Sequence, residues 1–152
     1  MERIVPVRDY MSVNVTTLTD DARLLDAALL IRRTGKRHVP VLAKDGRLVG
    51  LVTDRDVARM APSLLGRITP EEYNAVFEAT PITMAMSVDP ITITPDTSMR
   101  DAVGILYSRK IGSLPVVEDG KLVGILTVSD ALGLLNELLT TSQEKDASGA
   151  AV

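Results

Sequence analysis

The sequence predicts an α+β fold built from two copies of a β-α-β-β-α unit. The main observation is an internal repeat, in which Asp45-Gly-Arg-Leu-Val-Gly-Leu-Val-Thr53 recurs as Asp119-Gly-Lys-Leu-Val-Gly-Ile-Leu-Thr127. The likeness extends upstream at a shift of 75 residues and downstream at a shift of 74, so that Asp56 corresponds to Asp130. A long repeat of this kind indicates a duplicated supersecondary unit.

The first half of each copy has the pattern of a short strand followed by a helix. The strand segments are rich in Val, Ile and Thr, which suit a pleated surface. Apolar residues at helical spacing follow them. Asp20-Asp21 and Asp96-Thr97-Ser98 offer side chains that accept hydrogen bonds from the first turn of a helix. The predicted boundaries are 14–18 and 90–94 for the strands, and 22–34 and 98–109 for the helices.

The second half of each copy has the pattern of a β-hairpin followed by a helix. Asp45-Gly46 and Asp119-Gly120 each separate two apolar runs, and Asp-Gly at that position favours a tight turn. The first copy has one extra residue beside its turn, around Lys44. A helix is predicted after Thr53 and again after Thr127, and the second of these helices is rich in leucine.

The repeats divide the chain into four segments. Thr69-Pro-Glu-Glu72 lies between the copies and has the cap, proline and acid of a helix start. The last residues are mostly small or polar, which is typical of disorder. We therefore predict a first repeat at 1–62, a helical insert at 63–81, a second repeat at 82–140 and a disordered tail at 141–152.

Composition excludes several classes of function. The 152 residues contain no cysteine and one histidine, His38, so disulfide scaffolds and metal sites of several His or Cys ligands are excluded. The net charge of −3 and the dispersed basic residues argue against nucleic-acid binding. No apolar run reaches the ~20 residues of a membrane span, and no secretory signal is evident. We expect a cytoplasmic protein with no membrane partner.

The repeated motifs resemble those of the cystathionine-β-synthase domain, or CBS domain, in its tandem pair. The likeness lies in Arg37-His-Val-Pro-Val41 with Gly50-Leu-Val-Thr-Asp-Arg-Asp56, and in Gly112-Ser-Leu-Pro-Val116 with Gly124-Ile-Leu-Thr-Val-Ser-Asp130. It covers about residues 7–139. The insert is similar to that of acetoin-utilisation B-type proteins.

This resemblance implies a fold, a ligand class and a role. CBS repeats pack sheet to sheet with pseudo-two-fold symmetry, in a Bateman-type module whose two clefts bind adenosine ligands. The resemblance implies AMP, ADP or ATP here, and less readily S-adenosylmethionine or NAD, with no catalytic cofactor. Such modules form homodimeric discs that regulate another protein, so we expect a homodimer that acts on an unidentified partner.

The resemblance also assigns site residues. Asp56 and Asp130 correspond to the acceptors of the ribose hydroxyls, with Thr53 and Thr127 as hydroxyl partners and Ser129 as a helper. A carboxylate can accept both ribose hydroxyls in charge-assisted bonds. Thr17 and Thr92 are weaker candidates beside the adenine. An alternative interpretation is that each aspartate only complements the positive end of a helix dipole.

The two predicted sites differ in charge. The first copy has Arg37 and His38 before its hairpin and Arg55 beside Asp56, and arginine suits a phosphate. Ser113 stands in the second copy where His38 stands in the first, and the other equivalents there are uncharged. We expect one site to favour a phosphate and the other to hold a neutral ligand or none.

Two other functions are alternatives to a regulatory module that binds a nucleotide. A scaffold with empty clefts would join partners through its helices and the insert, and would gain no stability from nucleotides. An enzyme is disfavoured, because no third group orients His38 toward a nucleophile at a recognisable spacing. No catalytic residue and no metal site is predicted.

Overall fold

The computed structural model describes residues 3–150 and has the predicted mixture of helices and strands. Residues 1, 2, 151 and 152, which begin the first predicted segment and end the last, lie outside the described residues. The strands are β1 (Leu18–Thr19), β2 (His38–Leu42), β3 (Leu48–Thr53), β4 (Ser87–Val88), β5 (Ser113–Glu118) and β6 (Lys121–Thr127). The helices are α1 (Leu24–Thr34), α2 (Asp54–Met60), α3 (Pro70–Ala79), α4 (Met99–Arg109) and α5 (Val128–Gly149).

Contacts divide the chain into two compact units. The first-repeat unit comprises residues 14–91 and 118–123, and the second-repeat unit comprises residues 3–13, 92–117 and 124–150 of the described chain. Residues 3–13 therefore belong with the second repeat, although they precede the first one in sequence. The boundaries of the units thus differ from those of the repeat segments.

The first-repeat unit contains a four-stranded sheet in the order β1-β2-β3-β4. β1 runs parallel to β2, and the other pairs are antiparallel. The register of β2 and β3 places His38 opposite Thr53 and Val41 opposite Gly50. The core behind this sheet is aliphatic and consists of Ala27, Leu30, Val39, Val41, Val52 and Ile82.

The second-repeat unit contains most of β5, up to residue 117, and the second half of β6, from residue 124. Ile93 forms a parallel bridge to Val116, and Ser12 forms an antiparallel bridge to Ile125 with both backbone hydrogen bonds at 3.0 Å. The N-terminal segment is also bound through Val7, whose N–H donates to the Thr97 carbonyl at 2.8 Å. The buried side chains of this unit are again aliphatic and include Val7, Ile93, Met99, Ala102, Leu106, Leu114, Val116 and Leu126.

The two hairpins turn at Asp-Gly as predicted, but their geometries differ. Asp119 and Gly120 both have positive φ, of 51° and 76°, which is the backbone of a two-residue hairpin turn. In the first hairpin only Gly46 has positive φ, and the Ala43 N–H bonds to the Arg47 carbonyl at 2.8 Å. The extra residue of the first copy is accommodated in this longer turn.

The starts of the repeat helices agree with the prediction in one copy and differ in the other. Ser98 caps α4, accepting a hydrogen bond from the Asp101 N–H at 3.0 Å. The expectation that Asp20-Asp21 open α1 is wrong, because α1 begins at Leu24 and Asp26 accepts from the Arg23 N–H at 2.7 Å. The observed strands are also shorter than the predicted ones. β1 has two residues, whereas 14–18 was predicted, and the pairing within 90–94 is an isolated bridge formed by Ile93.

The C-terminal segment also differs from the expectation of disorder at 141–152. The structure continues α5 as far as Gly149. The hydroxyls of Thr140, Thr141 and Ser142 donate to carbonyls four residues earlier, at 2.8–2.9 Å. These hydroxyls are therefore satisfied by the preceding turn of the same helix.

Candidate functional site

Thr53 and Asp56 form a closed set of hydrogen bonds where β3 passes into α2. The Thr53 N–H and hydroxyl both donate to Asp56 Oδ2, at 2.8 and 2.9 Å, and the Asp56 N–H donates to Thr53 Oγ1 at 3.2 Å. This reciprocal arrangement is a capping box, which satisfies backbone donors at the start of a helix. The other carboxylate oxygen, Oδ1, lies 3.8 Å from Arg59.

Thr127 and Asp130 repeat this geometry where β6 passes into α5. The Thr127 N–H and hydroxyl donate to Asp130 Oδ2 at 2.8 and 3.1 Å, and the Asp130 N–H donates back to Thr127 Oγ1 at 3.4 Å. All four predicted residues are half-buried. The structure therefore gives each aspartate a capping role, and its role as a ribose acceptor stays a prediction.

His38 lies at the first residue of β2, opposite Thr53, and its ring is half-buried. Its Nδ1 atom is buried and has no hydrogen-bond partner within the described part of the chain. Burial lowers the pKa of His38 below its ordinary value, and the charges of Asp54 and Arg37 act on it less strongly and in opposite directions. The imidazole is therefore neutral near pH 7, with one donor and one acceptor nitrogen.

Ser113 occupies the equivalent position of the second repeat, at the first residue of β5. Its side chain is only 3% exposed, and its hydroxyl is also buried without a partner among the described residues. The surrounding backbone is equivalent too: Asp54 N–H donates to the Arg37 carbonyl at 3.1 Å, and Val128 N–H donates to the Gly112 carbonyl at 3.0 Å. Each repeat thus presents one unpartnered polar atom beside its strand-to-helix junction.

The remaining predicted site residues, which are cations and hydroxyls around these junctions, differ in their exposure to solvent. Arg37, Arg55 and Ser129 are exposed. Lys36, which precedes Arg37, donates from Nζ to the Asn14 carbonyl at 2.7 Å. Thr17 is half-buried directly before β1, and Thr92 is exposed directly before Ile93.

Sequence reasoning missed two charged residues near the first site. Arg59 pairs with Asp56, and Asp54 influences the titration of His38. The spacing of three residues between Asp56 and Arg59 on a helix is a signal that could have identified this pair. The burial of His38 Nδ1 has no comparable signal, because it depends on tertiary packing.

Residues 3–150 contain neither a metal-binding cluster nor a membrane-spanning helix. Within that range no cluster of three or more His, Cys, Asp or Glu side chains is arranged to hold a metal ion. None of the described helices combines the length and the apolar character that crossing a bilayer requires.

Comparison with family models identifies the two repeats. The model of the CBS domain matches residues 7–63 and again residues 81–137. The chain belongs to the CBS domain family. The two matched segments contain the repeated motifs and both strand-to-helix junctions, so this tandem CBS chain has one candidate site in each domain.

Individual relatives agree with this membership. A homoserine O-acetyltransferase from Methanohalophilus mahii is 34% identical over 130 residues, which are 85% of this chain but only 24% of that protein. This chain therefore spans a minor part of that enzyme.

Solved structures of CBS proteins share the fold. A protein described as an acetoin utilization protein (AcuB) from Vibrio cholerae is 30% identical, with a TM-score of 0.75 over 93% of this chain and 98% of that one. CBSX2 in complex with AMP is 25% identical, with a TM-score of 0.71 over 88% of this chain and 97% of that one. Both similarities extend across the two CBS domains.

Proposed function

We propose that this CBS pair is a regulatory module that binds an adenosine nucleotide and has no catalytic activity of its own. The observation that carries the proposal is a pair of buried polar atoms at equivalent positions, His38 Nδ1 and Ser113 Oγ, which have no partner among residues 3–150. Buried polar groups are almost always hydrogen-bonded, so two such exceptions at corresponding positions indicate groups that a ligand satisfies.

The neighbouring groups suit the sugar and phosphate of a nucleotide. Asp56 and Asp130 each direct one oxygen to the helix cap and retain further lone pairs, which can accept ribose hydroxyls. Arg37 and Arg55 are exposed cations beside the first of these carboxylates. The AMP complex of the similar protein CBSX2 supports the ligand class.

A ligand panel of AMP, ADP, ATP, NAD and S-adenosylmethionine tests this function by thermal shift and calorimetry. A true ligand at 100 times its Kd stabilises the folded state by about 2.7 kcal/mol. We expect Asp56→Asn and Asp130→Asn to reduce that gain, because an amide can still cap the helix but lacks the charge that strengthens the ribose bonds.

The insert helix α3 offers a matched control. Thr69 and Glu72 form the same capping box, with the Thr69 N–H donating to Glu72 Oε2 at 2.8 Å. Glu72→Gln changes an equivalent cap in a segment outside the CBS matches, so the ligand gain should stay unchanged. If no compound of the panel stabilises the protein and the protein still self-associates, the chain would instead be the interaction scaffold.

We also propose that the chain forms a homodimer through α5. Its outer face, the leucine face, consists of four side chains that are each 48–58% exposed: Leu132, Leu135, Leu138 and Leu139. Their spacing of three and four residues places them on one side of the helix. An apolar stripe of this kind favours burial against another apolar surface.

Light scattering coupled to size exclusion tests the dimer. We expect Leu132→Glu with Leu139→Glu to convert it to a monomer. Leu65→Glu, at a fully exposed position of the insert, is the control and should leave the mass unchanged. A dimer that survives the double substitution would place the interface elsewhere.

A further inference from the structure

Two methionines hold equivalent positions in the two units. Met11 follows the 3₁₀ turn Val7–Asp9 in the second-repeat unit, and Met86 follows the 3₁₀ turn Ile82–Met84 in the first-repeat unit. Each methionine donates its backbone N–H to the carbonyl of the first residue of its turn, at 2.9 and 3.0 Å respectively. That first residue is fully buried in both turns, whereas both methionines are half-buried. The same local structure therefore positions the two thioethers and leaves each of them partly open to solvent.

The sulfur of each methionine lies directly against a strand glycine. A β-carbon added at Gly124 would lie 2.7 Å from Met11 Sδ and 3.2 Å from Met11 Cγ. A β-carbon at Gly50 would collide with Met86 Sδ and would lie 2.9 Å from Met86 Cγ. Glycine allows this close approach because it has no side chain. On the strand side of each sulfur there is consequently no room for a further atom.

Backbone pairing begins at the residue after each methionine. Ser12 exchanges two hydrogen bonds of 3.0 Å with Ile125, and Ser87 pairs with Leu51 in the β3–β4 ladder. The carbonyl oxygens of the two serines lie 3.0 Å from the same hypothetical β-carbon positions. An oxygen added to either sulfur would therefore meet a second acceptor oxygen as well as the strand. Movement of the sulfur away from the glycine would strain the adjacent pairing.

The composition of the chain directs two-electron oxidants to its methionines. The sequence contains neither cysteine nor tryptophan. A hydroperoxide oxidises a thioether when the sulfur donates an electron pair to one peroxide oxygen: an S–O bond forms, the O–O bond breaks, and hydrogen peroxide leaves as water. Two thiols acting through a methionine sulfoxide reductase reverse the reaction, with a disulfide and water as products. The sulfoxide is polar, whereas the thioether is apolar.

We propose that Met11 and Met86 are a pair of reversible oxidation sites, one in each unit. Their oxidation releases the two leading segments, residues 3–13 and 82–88, from the strands with which they pair. The sulfoxide oxygen does not fit between sulfur and glycine, so the oxidised side chain turns outward and the neighbouring backbone hydrogen bonds weaken. This inference does not depend on the proposed binding of nucleotides.

Treatment of the full chain with hydrogen peroxide, followed over time by peptide mass spectrometry and by the melting temperature, tests the proposal. Met84 is 68% exposed and Met99 is 2% exposed, so Met84 should oxidise first and Met99 should stay reduced while the chain is folded. We expect sulfoxide at Met11 and Met86 to form between these two extremes, with a fall in melting temperature of about 5 °C. Reductases for both sulfoxide epimers, supplied with a thiol, should restore the original value.

Amide hydrogen exchange locates the effect within the fold. We expect oxidation to accelerate exchange of the Ser12 and Ile125 amides and of residues 87–88 by about tenfold, because local opening exposes these amides first. Exchange in the interior of α1 should stay unchanged. Faster exchange that is spread evenly over the chain would overturn the proposal, since it would indicate general unfolding.

Substitution by leucine separates these two methionines from the others. Met11→Leu with Met86→Leu keeps apolar side chains of similar volume but removes both thioethers, so peroxide should no longer lower the melting temperature. Met60→Leu with Met84→Leu is the matched control. It replaces one half-buried and one exposed methionine and should respond to peroxide as the unmodified chain does.

Three outcomes would overturn the proposal. The first is an equal loss of stability on oxidation in the Met11→Leu, Met86→Leu protein. The second is full oxidation of both residues in the unmodified chain with no change in melting temperature or hydrogen exchange. The third is oxidation of Met11 and Met86 only together with Met99, which would mean that the sulfurs react after unfolding. The last two outcomes are measured on the unmodified chain, so the test does not depend on the folding of a variant.

Discussion

Ser113 combines a structural cost with a proposed binding role. A buried hydroxyl without a partner destabilises the folded state, because it has lost water and gained no hydrogen bond. We expect Ser113→Ala to raise the free energy of unfolding of the ligand-free protein by about 1 kcal/mol. Urea denaturation measures this change.

Ser129→Ala is the control for that prediction, because Ser129 is exposed and should give no change. A loss of stability in Ser113→Ala would show that the hydroxyl is already bonded in solution. The combination of greater stability with weaker ligand binding would identify a position retained for function rather than for folding.

His38 links stability to pH. Burial lowers its pKa in the folded state, so between that pKa and the ordinary value near 6.5 the unfolded chain binds more protons. The contribution of the neutral imidazole to the free energy of unfolding is therefore fully present above pH 6.5, and it is lost as the pH falls toward the lowered pKa.

Urea denaturation at pH 7.5 and at pH 5.5 measures this dependence. We expect the ligand-free protein to lose more stability on acidification than His38→Gln does, since the glutamine does not titrate and the carboxylates are common to both proteins. Equal losses in the two proteins would contradict the lowered pKa.

At the scale of elements, the ends of the repeat helices differ in one residue. α1 is followed by Gly35 at φ 71°, whereas α4 is followed by Lys110 at φ 54°. A left-handed residue after a helix is favourable for glycine and costs about 1 kcal/mol for a residue with a β-carbon. We expect Lys110→Gly to raise the melting temperature and Gly35→Ala to lower it. An equal fall of the melting temperature in both variants would contradict this explanation.

The middle of β6 is held close to a methionine. A β-carbon at Gly124 would lie 2.7 Å from Met11 Sδ and 3.0 Å from the Ser12 carbonyl oxygen, on a segment fixed by two bonds to Ile125. We expect Gly124→Ala to cost about 1–3 kcal/mol of unfolding free energy, as overpacking does. Gly104→Ala, in α4 with nothing within 4 Å, should be neutral or stabilising.

Met11→Ala provides a check on the cause of that effect. Combined with Gly124→Ala, it removes the sulfur contact and should recover part of the stability. Additive losses in the double variant would mean that the methionine and the new methyl group do not meet.

The elements that the sequence predicted well are those determined by local chemistry. Asp119-Gly120 determines a hairpin turn, and Thr-x-x-Asp spacing brings Thr53 to Asp56, because both effects act within four residues. α1 begins later than Asp20-Asp21 predict, and the Arg23 N–H at its start is bonded by Asp26, which lies inside the helix. The partner of residues 3–13 could not be predicted, since sequence repeats do not state which copy a leading segment joins.

At the scale of the whole molecule, a substitution at Val7 tests whether residues 3–13 belong to the second-repeat unit. It precedes the first repeat but is fully buried in the second-repeat unit. We expect Val7→Ala to cost about 2 kcal/mol and to accelerate hydrogen exchange in residues 92–117 rather than in residues 24–60.

Val39→Ala is the matched control, because Val39 is fully buried in the core of the first-repeat unit. It should accelerate exchange in residues 24–60 instead. Faster exchange of residues 24–60 in Val7→Ala would contradict the assignment of the N-terminal segment to the second repeat.

The placement of Val7 to Ser12 has a consequence for synthesis on the ribosome. Chains grow from the N-terminus, and domains generally fold as they emerge. Val7 and Ser12 are translated before their partners Thr97 and Ile125, which lie more than eighty residues further along the chain. Until those partners emerge, the apolar residues of this stretch depend on the growing polypeptide, or on a chaperone, to keep them from contact with other chains.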